Sequence, residues 1–396
     1  MIADLRHHFN AAFSQDKYQL LLQRMESGCG TAVPFRISET PCFFPHALLK
    51  QLCRFGDELI RQLVTPDYLV QSQRSIPPEF NVANESPHPL FVQVDFGLIR
   101  DDSGNLRPKL VELQGFPSLY AYQPLLAKTY REAFGLERSL RFYLSGLDED
   151  SYTNLLRRVI VADHDPCNVV LMEIDPIHQK TMPDFLLTEK MLGIKTVDIS
   201  QIKKEGKRLF YECGGRRRIP IRRIYNRAIV DELVRRNPKL DFRFGDDLDV
   251  EWAGHPNWFF RMSKFSLPYL RHECVPKTQF LSETGERGNL DGSVIKPLFS
   301  FAGLGIILHP TSSDLQAIPK VSRSNYVLQE RMNFEPVIET PRGLTKAEVR
   351  IMYIWERTLI PVMTIIRMGR GQMMGVDHNR NMEWVGSSAG LFRDDS

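Results

Sequence analysis

The chain has 396 residues, with 51 Lys plus Arg against 48 Asp plus Glu and a formal net charge of +3. Hydrophobic residues make up 42% and charged residues 25%, the balance of an ordinary globular chain, and at roughly 150 residues per domain the length predicts two or three domains. This excludes a disordered chain, which has fewer aromatics and more net charge, and argues against a dedicated nucleic-acid binder, which is more basic. No apolar run reaches the roughly 18 residues that cross a bilayer. The opening MIADLRHHFNAAFSQD has no continuous apolar stretch and does not read as a secretory signal. Cys29, Cys42, Cys53, Cys167, Cys213 and Cys274 form no C-x-x-C pair. They read as reduced thiols in a cytoplasm without a zinc site, with three disulfides as the alternative.

In chain order, residues 1–75 read as mainly helical. His46 to Leu63 places apolar residues three and four apart, the mark of one buried helix face, and IPPEF at 76–80 breaks the pattern with a proline pair. FVQVDFGLIRDDSGNLRPKLVELQG, residues 91–115, reads as strand, polar turn, strand. Val169 to Met172 is a buried strand ending in Glu173-Ile174-Asp175. A helix follows from Asp184 and closes at Gly193, and Lys195 to Ser200 is the next strand, a βαβ unit with parallel pairing. It lacks GxGxxG, so it does not point to a dinucleotide. Residues 208–227 read as a hairpin turning at Gly214-Gly215. From about residue 240, SVIKPLFSFAGLGIILHP (293–310), YVLQERM (326–332), AEVRIMYIW (347–355) and TLIPVMTIIRM (358–368) read as strands of an antiparallel sheet. The first of these reads as two strands around a glycine loop. The fold class is therefore mixed α/β and α+β. The divisions are a helical segment at 1–80, a hairpin section at 81–150, a parallel α/β domain at 151–240 and an antiparallel section at 241–396.

Three groups of residues carry the chemistry. Lys296 sits among apolar neighbours in VIKPL, where a lysine is costly unless it meets an anion. The loop after it holds Ser300, Gly303 and Gly305, and glycines let backbone N–H groups approach phosphate oxygens. The arrangement fits nucleotide phosphates but is not a Walker A loop; the alternative is a hairpin with a surface lysine. In YVLQERM, Gln329 and Glu330 could meet an adenine and ribose, or simply lie on a solvated edge strand. Asp95 interrupts an apolar strand, while Glu112 and Gln114 share a face of the facing strand. Three oxygen-bearing groups suit Mg²⁺, and acids paired with arginines are the alternative.

Taken together, VDFGLIRDDSGNLRPKLVELQGFPSLYAYQ resembles the Asp…Glu-x-Asn-x-x-x-Pro-Ser/Thr stretch of glutathionylspermidine synthetases and related circularly permuted ATP-grasp ligases. RMSKFSLPYL resembles the segment of the first nucleotide lysine, here Lys264. VIKPLFSFAGLG resembles the second-lysine strand with its phosphate-covering loop, giving Lys296, Gly303 and Gly305. YVLQERM resembles the adenine hinge, giving Gln329 and Glu330, and IPIRRIYNR resembles the strand leading to the first lysine segment. The resemblance implies an ATP-grasp fold in permuted order, with a Rossmann-like parallel-sheet region before it. It implies ATP and Mg²⁺ as cofactors, with Asp95, Glu112 and Gln114 as metal ligands, and a carboxylate–amine ligase forming ADP through an acyl phosphate. Gln114 stands where the family has Asn. Gln93 stands where the synthetase has an arginine that steadies the transferring phosphoryl group. The resemblance does not include the Cys/His amidase domain fused to some synthetases.

Arg350 and Arg367 lie in apolar strands, and Arg367 resembles the superfamily's late catalytic-strand arginine; pairing with a core carboxylate is the structural alternative. Asn379 and Asn381 are placed near the metal. Arginines make up five of residues 216–223, but without interleaved aromatics they do not read as an RNA site. His7 and His8 read as solvent-exposed. His164 with Asp165 is a weak metal pair, and Asp175 with His178 follows a strand end where ligands can sit. The partners expected are a small-molecule or peptide carboxylate and an amine, with no nucleic acid and no membrane, in an oligomer or a monomer. Two other readings stand beside the ligase: a nucleotide-binding regulatory module without catalysis, and a ligase that tailors a peptide.

Overall fold

The structure, a computed structural model, describes residues 1–215, 217–285, 290–300, 303–375, 379 and 381–394. Its strands, in chain order, are β1 (Cys42–Phe43), β2 (Phe91–Arg100), β3 (Leu106–Gln114), β4 (Val169–Glu173), β5 (Lys195–Asp198), β6 (Lys203–Glu205), β7 (Arg208–Cys213), β8 (Arg217–Ile221), β9 (Arg223–Asn226), β10 (Glu251–Ala253), β11 (Thr278–Phe280), β12 (Ser293–Pro297), β13 (Tyr326–Glu330), β14 (Pro336–Thr340), β15 (Gly343–Trp355), β16 (Leu359–Gly369) and β17 (Gly386–Leu391). Helices accompany them, and the result is a mixed α/β architecture of four sheets. None of the described helices is long and apolar enough to cross a membrane.

The largest sheet has seven strands in the order β1-β17-β16-β15-β2-β3, with β14 beside β15. Its pairings are antiparallel except β1 with β17. Side chains alternate across it. Val92, Val94 and Phe96 of β2, with Val349, Ile351 and Tyr353 of β15, pack on the helix His46–Gln62 through Leu52, Phe55 and Leu59. The helix has the span that its apolar spacing predicts. On the opposite face Met352, Ile354, Met363 and Ile365 join the core under the helices Gln15–Cys29 and Tyr122–Ala133. The rest of that opposite face is charged, and it carries the site.

The parallel sheet runs β10-β9-β4-β5. It includes the expected βαβ unit, whose helix is Met182–Leu192 with Gly193 as its C-cap. The expected hairpin is β7–β8, part of a separate three-stranded sheet. The third small sheet, β11-β13-β12, is antiparallel.

Three expectations fail in detail. The strands expected of one antiparallel sheet after residue 240 are split between two: β12 and β13 pair in the three-stranded sheet, while β15 and β16 join β2 and β3 in the large one, because register pairs β15 with β2. The stretch after Lys296 is not a second strand: among the described residues it touches β12 only through an isolated bridge between Ile295 and Ile307. Gly303 and Gly305 sit at φ of 78° and 73°, so the chain leaves extended conformation there and meets the strand only once. The mainly helical first segment also contributes a strand: β1 closes the edge of the large sheet against β17. A two-residue strand carries no alternation to read, and its partner lies at the far end of the chain.

Candidate active site

Register brings the charges together. Arg350 stands opposite Asp95, and Asp95 opposite Glu112. One step along, Arg367 stands opposite Glu348, and Glu348 opposite Gly97. Directly opposed residues share a face of a sheet, so three acids and two arginines from four strands meet on one surface. Gly97 is required there: a Cβ would lie 2.2 Å from the ring of Phe334, which packs onto the sheet beside the charges.

Asp95 has no solvent exposure. Its carboxylate accepts from Arg350 Nε at 2.5 Å and Nη2 at 2.6 Å, and also from Arg367 Nη2. Arg350 Nη1 donates to Gln93 Oε1 at 2.9 Å, and Gln93 Nε2 donates to the Ser118 carbonyl at 2.6 Å. Arg367 Nη2 also pairs with Glu348 Oε1 at 2.6 Å. Glu112 Oε1 accepts from Gln114 Nε2 at 2.6 Å, and its Oε2 lies 3.1 Å from Lys264 Nζ. Lys264 opens the 3₁₀ turn Lys264–Tyr269, capped by the Ser263 hydroxyl, and Nζ donates to the Ser300 carbonyl at 2.7 Å. Among the described residues Lys296, on β12, makes one hydrogen-bond contact, a long one of 3.5 Å from Nζ to the Val111 carbonyl.

These neighbours set the protonation states. Burial raises the Glu112 carboxyl, but Lys264, Arg350, Arg367 and Lys296 outweigh it and bring it down to about 2. Burial brings the Lys296 ammonium down to about 8, against the pull of Glu112 and with help from Lys264. Burial raises Glu348 to about 7, opposed by Arg367. Burial works against the charge of Arg367, but Glu348, Asp95 and Glu112 outweigh it and hold the guanidinium protonated.

Glu112, Lys264, Lys296, Glu348 and Arg367 form one end of a cavity of about 320 Å³. Gly303 also lines it, with Val294, Ile306, Met373, Met374 and Phe334 as apolar walls and Gln329 and Glu330 from β13. Gln329 is fully buried; Nε2 donates to Thr278 Oγ1 at 3.3 Å, and Oε1 meets no partner. The cavity therefore combines apolar walls and one unused acceptor with an end where three cations meet two acids.

The residues singled out from sequence divide accordingly. Glu112, Lys264, Lys296, Gly303, Gln329, Glu330 and Arg367 line this cavity, whereas Asp95, Gln114, Gly305 and Arg350 are not among its lining residues. Asp95 and Arg350 hold Arg367 from behind. Gln114 lines a small neighbouring pocket shared with Glu112 and Lys264, and Gly305 packs on Pro297. Asn379 is buried and works as a loop clamp: Oδ1 accepts from the Arg370 and Gly371 amides, and Nδ2 donates to the Met373 and Gly375 carbonyls. Asn381 is exposed, and Asp377, His378 and Arg380 of the same motif lie outside the described residues. His178 pairs with Asp175 at 2.7 Å, and His164 with Glu251 at 3.2 Å. In the arginine run, Arg218, Arg222 and Arg223 pair with Glu205, Asp249 and Glu251.

Sequence reasoning missed Glu348, which stands two residues before Arg350 and so on the same strand face; period two was the signal that could have found it. It also missed Phe334 and the methionines at 373–374, which lie in segments with no periodicity.

Among the described residues no group of three or more His, Cys, Asp or Glu could hold a metal by itself. Of the three carboxylates that line the cavity, Glu112, Glu330 and Glu348, the first and last lie on the sheet face that carries Arg367. Two hard oxygen donors suit Mg²⁺, which commonly fills its remaining positions with phosphate and water. Asp95 fits less well, because guanidinium donors already take both of its oxygens.

No protein-family model matches the chain, and no curated protein matches it by sequence. Among solved structures the chain is similar to a glutathione synthetase-like effector from Globodera pallida in its apo form. The TM-score is 0.55 at 10% identity, over 90% of this chain and 96% of that one. At this identity the likeness is one of fold.

Proposed function

We propose that the chain is an ATP- and Mg²⁺-dependent ligase of ATP-grasp type that joins a carboxylate to an amine and releases ADP and phosphate. The observation that carries this is the pair of buried lysines, Lys264 and Lys296, which line one cavity with Glu112, Glu348, Gly303 and a set of apolar side chains. The fold shared with a glutathione synthetase-like protein supports it.

The apolar slot takes the base, with Gln329 Oε1 as acceptor for an exocyclic amine. Lys264 and Lys296 take phosphate oxygens. Glu112 and Glu348 hold the metal, which when bound supplies charge neutralisation to the phosphates. A substrate carboxylate oxygen attacks the γ-phosphorus, the bond to the β-phosphate oxygen breaks, and ADP leaves. The amine nitrogen then attacks the acyl carbon, the carbon–oxygen bond to phosphate breaks, and the amine loses a proton. Phosphoryl transfer of this kind rests on position and fixed charge more than on covalent work by the protein. Arg367 is the arginine of the large sheet that lines the cavity, and Asp95, itself held by Arg350, keeps it aimed.

One observation favours a second reading, a nucleotide-binding module without ligation. All three nitrogens of Arg350 donate to Asp95 or Gln93, and Arg350 is not among the residues that line the cavity, which sets it back from a transferring phosphoryl group. Calorimetric titration with a slowly hydrolysed ATP analogue, with and without Mg²⁺, tests both. Magnesium-enhanced binding that weakens at least about tenfold in Glu112→Gln is expected, since a charged contact is lost. No binding at millimolar nucleotide refutes both readings. ADP release on screening carboxylate and amine pairs separates the ligase from the module.

A further inference from the structure

One side chain of the cavity wall is held by a hydroxyl that lies outside it. Gln329 lines the cavity and Thr278 does not. On the central strand of the small sheet, Gln329 stands opposite Thr278 of β11 and Val294 of β12. Directly opposed residues share a face, and Val294 lines the cavity too. The Gln329 carboxamide is fully buried. One of its ends is a donor and the other an acceptor, and the partners decide which end points where.

Thr278 makes that decision. A hydroxyl has a single hydrogen, and this one goes to the Pro276 carbonyl at 2.9 Å. Towards Gln329 the oxygen is left as an acceptor, and Nε2 donates to it at 3.3 Å. Val294, on the other side, has no polar side-chain group. Turning the carboxamide over would set Oε1 against Thr278 Oγ1. The hydroxyl can then serve Gln329 only by leaving Pro276, so a hydrogen bond is lost either way. Oε1 therefore stays on the side where it has no partner among the described residues. The donors beside it are committed. The Glu330 amide donates to the Lys277 carbonyl at 2.8 Å and the Arg331 amide to the Gly292 carbonyl at 2.7 Å. Arg331 Nη1 lies 2.5 Å from His309 Nδ1.

We infer that the Thr278 hydroxyl sets the base selectivity of this cavity: by fixing Gln329 with Oε1 free, it selects a purine with an exocyclic amine over one with an exocyclic oxygen. The amine donates to Oε1. An exocyclic oxygen sets two acceptors against each other and leaves both unpaired, the costly case for buried polar groups. Thr278 acts through Gln329 and is a positioning residue. The inference rests on the nucleotide reading and goes beyond it in naming what excludes the wrong base.

The probes are ADP and IDP, which carry an exocyclic amine and an exocyclic oxygen at the same ring position and have no γ-phosphate to lose. Each is titrated calorimetrically with Mg²⁺ into the full chain and into Thr278→Val and Thr278→Ser. The parent is expected to bind ADP at least about tenfold more tightly than IDP, as an unpaired buried acceptor implies. Thr278→Val removes the hydroxyl and frees the carboxamide to turn, so the ratio is expected to fall about fivefold or more, the contribution of a neutral hydrogen bond. Thr278→Ser restores the hydroxyl and is expected to restore the ratio. A general loss of stability weakens both ligands alike and leaves the ratio where it was, so the ratio separates positioning from folding. Equal binding of ADP and IDP by the parent overturns the inference, even if Thr278→Val does not fold, and leaves the nucleotide reading standing. An unchanged ratio in folded Thr278→Val also overturns it. Binding of neither nucleotide at millimolar concentration refutes the nucleotide reading and the inference with it.

Discussion

Replacing Lys296 by methionine should stabilise the protein while removing its grip on nucleotide. Burial lowers the Lys296 ammonium from 10.5 to about 8, a difference of roughly 3 kcal/mol against the charged form in the folded chain. The unfolded chain holds this proton up to about 10.5, and the folded chain only up to about 8. Below pH 8 both states are protonated and the whole penalty is present. As pH rises from 8 towards 10.5 the unfolded state binds more protons than the folded one, so stability rises and the penalty fades. Lys296→Met removes a charge that has only a 3.5 Å contact to the Val111 carbonyl and keeps most of the side-chain volume. The expected gain at pH 7 is up to about 3 kcal/mol, or roughly 4 °C in melting temperature for a chain of this length, shrinking as the pH passes 8. Affinity for an ATP analogue should fall about ten- to a hundredfold, as for a lost charged hydrogen bond. Denaturant midpoints at pH 7 and pH 9.5, with calorimetry beside them, measure both effects. A variant that is less stable than its parent at pH 7 yet binds nucleotide equally well refutes the reasoning.

Three further substitutions probe the surrounding frame. Asp95→Ala leaves the Arg350 guanidinium without its carboxylate in a buried place and should cost about 3–5 kcal/mol in denaturant unfolding; a change below about 1 kcal/mol would show that water already serves the arginines. Gly97→Ala sets a Cβ against the Phe334 ring, 2.2 Å away, and should cost about 1–3 kcal/mol. The double variant with Phe334→Ala should lose less than the two single costs added together. Glu173 titrates at about 8 in the folded chain because of burial, against an ordinary 4.5. The folded state therefore holds more protons between those values, and stability falls as pH rises through that window. Glu173→Gln should flatten the fall, as read from denaturant midpoints between pH 5 and pH 9.

Local patterns were legible wherever one face of an element is buried. The helix His46–Gln62 follows from its apolar spacing, and the βαβ unit from a buried strand, a helix and a glycine cap. The β2–β3 hairpin was legible too, and with it Glu112 and Gln114 on one face. What the hairpin pairs with was not. Arg350 reaches Asp95 across 255 positions of sequence, and only the register of β15 against β2 shows that these two residues meet. For the same reason Asp95 reads from sequence as a metal ligand, since its isolation in an apolar strand says that it needs a cation but not which one. Glu348 escaped notice because a strand with alternating charge reads equally well as a solvated edge until its neighbour on each side is known. Thr278 lies on a three-residue strand, too short to show alternation, and meets Gln329 across 51 positions of sequence.

On the proposed ligase reading, the charges of the site give a reason for a metal and the lysines to act together. Asp95, Glu112 and Glu348 face Lys264, Lys296, Arg350 and Arg367, so the cluster is close to neutral by itself, and each acid has at least one cation near it. A triphosphate entering the cavity competes for those cations, and any cation that turns to phosphate leaves a buried carboxylate without compensation. A divalent ion shared by carboxylate and phosphate would remove that conflict, so the proposed reading expects magnesium dependence as a consequence of burial. The contacts also rank the order of exchange. Asp95 is gripped through both oxygens by one guanidinium and again by a second, whereas Glu112 meets Lys264 through one oxygen at 3.1 Å. The weaker single contact should open first, so the proposed reading expects Lys264 and Glu112 to separate on nucleotide binding while the Asp95–Arg350 pair stays closed. That pair then acts as the fixed frame from which Arg367 reaches the cavity.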